Sequence, residues 1–213
     1  MNKLGLHSLV YTSDWTPANA HRVFGSAADL GYDLVELLMF DPAATDTALT
    51  AKVAQQYSVG VVAGICGTLT ADLSNPDPDI AQRGEELIGA AIRAARDMGA
   101  TMLGGPTFSA VHRYTQAPSE IARERAVERY GRIADHASAA GIRVGLESLN
   151  RYESNFINTV GQAADIVRAV GSPALFVHAD KIRIVANRML NAVLTISGLA
   201  ELVAVDIVDS TSA

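Results

Sequence analysis

The chain has 213 residues, 49% of them apolar and 19% charged, with a formal net charge of −6 at pH 7 and a pI of about 5.3. This is the balance of a globular chain long enough for a sizeable core, and it excludes a disordered one. No run of about five Lys/Arg occurs, so the electrostatic footprint of a nucleic-acid partner is missing. The single cysteine, Cys66, excludes an internal disulfide and fits a reducing cytoplasm. The start, Met1 to Gly5, does not read as a signal peptide, because the apolar run is soon broken by His7, Ser8, Asp14 and Trp15. No apolar stretch reaches the roughly 18–20 residues of a membrane span. The expectation is a cytoplasmic protein without membrane or nucleic-acid partners.

Short β-rich runs alternate with longer helical patterns along the chain. Leu4 to Tyr11 reads as the first strand, and a helix is predicted from about Pro17 to Leu30, closed by Gly31. Tyr32–Leu38 is the second strand, and a helix near Asp46–Tyr57 leads to the third, Val59–Ile65. A long amphipathic helix over about Asp77–Met98 ends at Gly99, before a strand at Thr101–Gly104. A helix from about Ser119 to Ala140 precedes the fifth strand, Ile142–Glu147, and one from Thr159 to Val170 precedes the sixth, Ala174–Ala179. A weaker helical pattern then leads to a seventh strand at Leu202–Val208.

Such alternation, with a helix-ending glycine before several strands, predicts an α/β fold with a parallel sheet. No Gly-x-Gly-x-x-Gly turn follows the first strand and no Gly-Lys-Ser/Thr phosphate loop occurs, which favours a barrel over a doubly wound sheet. No linker-like shift in composition divides the chain, so residues 1–213 read as one domain. The expected fold is a (β/α)8-type TIM barrel, incomplete, with about seven βα units.

Parallel strands are near-continuous apolar runs, so carboxylates at their carboxyl ends call for a reason. Glu36, Glu147, Asp180 and Asp206 occupy such places, and His7 lies within the first strand. Carboxylates converging on one mouth suit a hard divalent cation such as Mg²⁺ or Mn²⁺, able to polarise a sugar carbonyl while a neighbouring carboxylate moves a proton. Plainer readings stand beside these. Asp180 could be a helix N-cap, Glu147 could pair with Arg143 or Arg151, and Glu36 reads better as a supporting group than as a ligand. His7 and His178 fit core histidines, and Cys66 fits a small core residue, although its place after the third strand turns it toward a pocket.

The run Val144-Gly145-Leu146-Glu147-Ser148-Leu149-Asn150-Arg151-Tyr152-Glu153 resembles the LE-x-x-NR-[FY]-E segment of the D-tagatose 3-epimerase and D-allulose (D-psicose) 3-epimerase family, which belongs to the xylose-isomerase-like TIM barrels. His178-Ala179-Asp180 follows in the family's order, and upstream Gly31–Glu36 and Gly104–Ala110 are similar to its second strand and its fourth strand and loop. The resemblance implies a metal-dependent ketose 3-epimerase acting by proton transfer at C3 on a free ketose. It implies Glu147 as both metal ligand and one of two proton-exchanging glutamates, Asp180 as a metal ligand, and Glu153 as a partner of substrate hydroxyls. His7 and Cys66 are carried as further candidates for substrate contact. Mn²⁺ or Mg²⁺, with Co²⁺ as a further option, and a homo-oligomer are implied as well.

After Asp180 the family pattern T-[FY]-H-M-N-I-E-E gives way to Lys181–Arg188, and Arg183 stands in place of the histidine. Ala204–Ser210 resembles the family's seventh strand, which sets Asp206 where a metal-binding histidine belongs, 26 residues after Asp180 (206 − 180 = 26). The sequence stops at Ala213, before the place of an eighth strand and the second catalytic glutamate. Two expectations therefore stand side by side. One is a ketose 3-epimerase or related sugar isomerase; the other is a catalytically impaired remnant or truncated fragment that binds sugar or metal. A DNA-repair endonuclease on the same barrel type would need more histidine ligands and a basic groove, against the acidic balance seen here.

Overall fold

The computed structural model describes residues 3–118, 120–178 and 194–195. Six parallel strands alternate with five helices: β1 Gly5–His7, α1 Pro17–Asp29, β2 Leu34–Met39, α2 Thr47–Tyr57, β3 Gly60–Ile65, α3 Pro78–Asp97, β4 Met102–Gly104, α4 Glu120–Ala140, β5 Arg143–Glu147, α5 Val160–Val170 and β6 Leu175–His178. The strands lie in chain order from β1 to β6, and two residues, Leu194–Thr195 (β7), run antiparallel beside β1. Within the stretch where the sequence shows only a weak helical pattern, these two residues are extended and pair Leu6 with Leu194 and Gly5 with Thr195. The strand expected at Leu202–Val208, with Asp206 in it, lies outside the described residues, as does Asp180.

The helices begin where side-chain oxygens can take up orphan backbone donors. Thr16, Asp46, Asp77 and Thr159 are the N-caps of α1, α2, α3 and α5, each accepting from an N–H two or three residues on. Gly31, Gly99, Gly141 and Gly171 hold positive φ after α1, α3, α4 and α5, which lets each chain turn at once into the next strand. The first strand is shorter than the sequence suggests. His7 Nδ1 accepts from the Leu9 N–H at 3.2 Å, capping a 3₁₀ turn over Ser8–Val10 that ends β1 early. On the outer surface Glu85 of α3 meets Arg132 at 2.7 Å and Arg129 at 3.1 Å on α4, and these bonds, Arg132 first, hold its carboxyl below the usual range. No helix among the described residues is long and apolar enough to cross a membrane.

The two sheet faces carry different chemistry. Val35, Leu37, Ala63, Leu103, Val144 and Val177 point one way, into a continuous apolar cluster with Phe24, Ile92, Tyr130 and Ile133 of the helices. Strand residues alternate in direction, and the registers His7↔Glu36, Glu36↔Val62, Gly64↔Gly104, Gly145↔Phe176 and Glu147↔His178 put those residues on the other face, the interior of a barrel. Three glycines there make room for larger neighbours. A Cβ on Gly64 would lie 3.3 Å from Glu36 Oε1, one on Gly104 would lie 2.8 Å from the His178 ring, and one on Gly145 would lie 2.8 Å from both His178 Cβ and Phe176 Cζ. Arg143 stacks over the Phe176 ring at 4.8 Å on the same face.

Because Phe176 and His178 are both buried, they cannot swing clear of an added methyl. Gly145→Ala is expected to cost roughly 1–3 kcal/mol by overpacking, read as a lower denaturant midpoint at unchanged slope. Replacing a partly buried helical glycine with open space around its Cβ position, Gly131→Ala, serves as the control and should not destabilise.

Candidate active site

Glu147 is the last residue of β5, 5% exposed, and is paired in register with His178 on β6. A carboxylate that deeply placed is costly unless it is bonded or bound. His178 leans from β6 across β5 to β4, and the missing side chains of Gly145 and Gly104 open its path. Its Nδ1 accepts the Gly105 N–H at 3.3 Å, which assigns the proton of the neutral ring to Nε2. Gly105 itself sits at φ 101°, where no larger residue fits against the Ile65 carbonyl.

Cys66 follows β3 directly and is half-buried. Burial first, and the Glu147 charge second, push its thiol above the usual cysteine range, so the two side chains share one electrostatic environment. Glu36, 4% exposed, lies on the same face with its carboxylate against Gly64. His7 is paired with Glu36 in register and is partly buried. Glu153 sits beyond β5 in a loop held by its own bonds: Asn158 Nδ2 donates to the carbonyls of Leu149 and Ser154 at 3.0 and 2.8 Å, and the Leu149 N–H donates to the Ile157 carbonyl at 2.9 Å.

Cys66 and Glu147 thus share one environment at the carboxyl ends of β3 and β5, the end at which barrel enzymes carry their chemistry, and His7, last in β1, is paired with Glu36 in the middle of β2 on the same interior face. Asp180 and Asp206 lie outside the described residues. Among the described residues, no three His, Cys, Asp or Glu side chains converge in metal-binding geometry. The sequence reading took His178 for a core histidine, and it is buried and bonded as such; its reach over Gly104 toward Gly105 was missed. The signal was present in the glycines at 104 and 145, one on each strand that the ring crosses.

The family model described as xylose isomerase-like TIM barrel matches residues 24–213. An L-ribulose 3-epimerase of Methylomonas sp. (strain DH-1) is 33% identical over 192 residues, covering 89% of this chain and 67% of its own length. A ketose 3-epimerase of Arthrobacter globiformis is 31% identical, covering 84% of this chain and 62% of its own. A crystal structure of a D-allulose 3-epimerase from Methylomonas sp. in complex with D-allulose superposes with a TM-score of 0.80 at 33% identity, over 84% of this chain and 63% of that one. The chain belongs to the xylose isomerase-like TIM barrel family. Its relatives there are ketose 3-epimerases, as the Glu147–Glu153 segment implied, and it spans about two thirds of their length or slightly less.

The proximity of Cys66 and Glu147 can be read in solution. In protein stripped of metal by a chelator, Cys66 is expected to react slowly with a thiol reagent at about pH 8, and Glu147→Gln is expected to speed it by removing a negative charge that disfavours the thiolate. An unchanged rate in a folded Glu147→Gln variant would place Cys66 away from the carboxylate.

Proposed function

We propose that this chain is a divalent-metal-dependent ketose 3-epimerase, or a sugar isomerase of that kind, acting on a small free ketose by proton transfer at C3. The observation that carries the reading is Glu147, a buried carboxylate at the end of β5, within the segment that resembles the ketose 3-epimerases and beside the Cys66 thiol. The proposed donors are all carboxylates, a set suited to Mn²⁺ or Mg²⁺, with Co²⁺ also accommodated. Glu147 would hold the cation together with Asp180 and Asp206. Once bound, the cation would polarise the ketose carbonyl and the neighbouring hydroxyl, making the C3 hydrogen more acidic.

The chain's own residues would do the rest. Glu147 would exchange the C3 proton on one face of the ketose while a second group serves the other face, Glu153 would hydrogen-bond the hydroxyls near the first carbons, and His7 and Cys66 would line the sugar's flank. The half-buried position of Cys66 and the burial of Glu147 support a site that sheds water when filled. A cytoplasmic homo-oligomer, with residues 1–213 belonging to a single barrel domain, completes the proposal.

Removal and return of the C3 proton by one carboxylate exchanges the hydrogen without inverting the carbon, so deuterium incorporation is the minimal readout. With Mn²⁺ and a ketose in deuterated water, exchange at C3 is expected, and Glu147→Gln should lower it by at least about 10²-fold with the fold intact. Exchange that persists in folded Glu147→Gln would refute Glu147 as the base.

The ligand set has its own test. A site filled at a hundred times its Kd adds about 2.7 kcal/mol, or roughly 5–10 °C in Tm for a domain of this size. Asp206→Ala is expected to abolish the Mn²⁺-induced rise and Asp206→His to keep it. A full rise in Asp206→Ala would remove that residue from the set.

A further inference from the structure

The loop between β4 and α4 is tied into a strap that crosses from the Cys66 side of the mouth to the Glu153 side. At one end the Gly67 N–H donates to the Ser109 carbonyl at 3.1 Å and Ser74 N–H to the Phe108 carbonyl at 2.9 Å. At the other the His112 N–H donates to the Glu153 carbonyl at 2.8 Å, and Asn155 Nδ2 donates to the Gln116 carbonyl at 2.5 Å. The strap lies directly on its support: a Cβ on Gly67 would come within 2.7 Å of the Ser109 backbone.

A chain of side-chain hydrogen bonds runs beneath it. Asp72, 1% exposed, accepts from the Ser74 N–H and hydroxyl through Oδ1 and from the Tyr114 hydroxyl through Oδ2 at 2.5 Å. The Tyr114 hydroxyl also bonds Ser109, whose Oγ lies 2.9 Å from Ser154 Oγ, and Ser154 Oγ accepts the Phe156 N–H at 3.2 Å. Three loops, after β3, β4 and β5, thus share one buried network, and Tyr114 is its junction. Burial and the Asp72 carboxylate raise the Tyr114 hydroxyl well above the usual tyrosine range, so it stays a proton donor across neutral pH. Connected buried bonds of this kind rigidify what they join.

We propose that Tyr114 is a positioning residue for substrate binding: through Asp72 and Ser109 it fixes the strap, and through the strap it sets Glu153 at a defined distance from the Cys66 side of the mouth. The inference rests on the assignment of Glu153 to substrate hydroxyls made above. A residue that positions a binding group, and touches no reacting atom, acts on KM and leaves the proton transfer itself alone.

The test uses Tyr114→Phe and, at the next link, Ser109→Ala, each in the full chain with Mn²⁺ and a ketose. Both variants are expected to raise KM about tenfold with kcat within about twofold, and to speed amide hydrogen exchange in residues 109–118 and 150–156 while exchange in β2 and β3 stays as it was. Two foldable variants on one network guard against a single unstable one. Unchanged KM in both, or a fall in kcat at constant KM, overturns the proposal. So does unchanged exchange in the two loops. If the unaltered chain shows no exchange chemistry on any ketose, the functional reading fails, and amide exchange alone then decides whether Tyr114 holds the strap.

Discussion

The molecule depends on a steric allowance on one face of its sheet. A parallel barrel excludes water from its interior, and a carboxylate or imidazole there loses hydration that only bonds or a bound ion restore. Glu36, Glu147 and His178 all project into that face, each almost completely buried. They fit because Gly64, Gly104 and Gly145, on three successive strands, contribute no side chains of their own. Glycine inside a strand costs roughly 0.5–1 kcal/mol relative to alanine. Forcing a methyl into contacts of 2.8 Å would cost more, so the glycines are the cheaper arrangement. The polar interior and the glycines are one feature.

The opposite end of each strand shows why the chemistry gathers where it does. Helices return to strands through tight turns, four of them with a glycine at positive φ and that after α2 with Ser58, and these short turns carry few side chains. Strands hand over to helices through longer, polar loops: after β3 come Asp72 and Ser74, after β4 Ser109 and Tyr114, and after β5 Ser154 and Asn158. Those loops must satisfy buried backbone groups without a ladder, and their side-chain bonds do so. Once rigid, they can hold a ligand-binding group in place. The asymmetry between the two ends of the barrel is therefore written into turn chemistry before any catalytic residue is considered.

Much of this was legible in sequence because it is local. Apolar runs bounded by glycine located all six described parallel strands to within a few residues, and Asp46, Asp77 and Thr159 marked helix starts through short-range caps. Glu147 could be singled out because a charged residue ending an apolar run has few structural uses. The end of β1 was misjudged because His7 turns back to cap Leu9, a side-chain bond that hydropathy does not register. The pairing of Leu194–Thr195 with β1 is a long-range event that a local pattern does not register. The Asp72–Tyr114–Ser109–Ser154 network was missed for the same reason: its members are up to 82 positions apart (154 − 72 = 82), and each alone is an ordinary loop residue.

The two faces of the sheet also differ in how they tolerate change. Toward the helices, the cluster around Phe24, Ile92 and Ile133 is held by volume and apolarity, and many combinations of aliphatic residues fill such a space equally well. Toward the interior, the pairing of Gly104 with the His178 ring, and of Gly64 with the Glu36 carboxylate, is positional: neither partner can change size without displacing the other. The loop network adds a third kind of constraint, since its members are bonded in series and the loss of one hydroxyl leaves buried neighbours unsatisfied. Helices and outer strand residues can therefore drift while the path of the barrel persists. The interior glycines, the buried acids and the serine–tyrosine chain can move only as sets, and it is these sets that hold Glu147 and Glu153 in relation to one another.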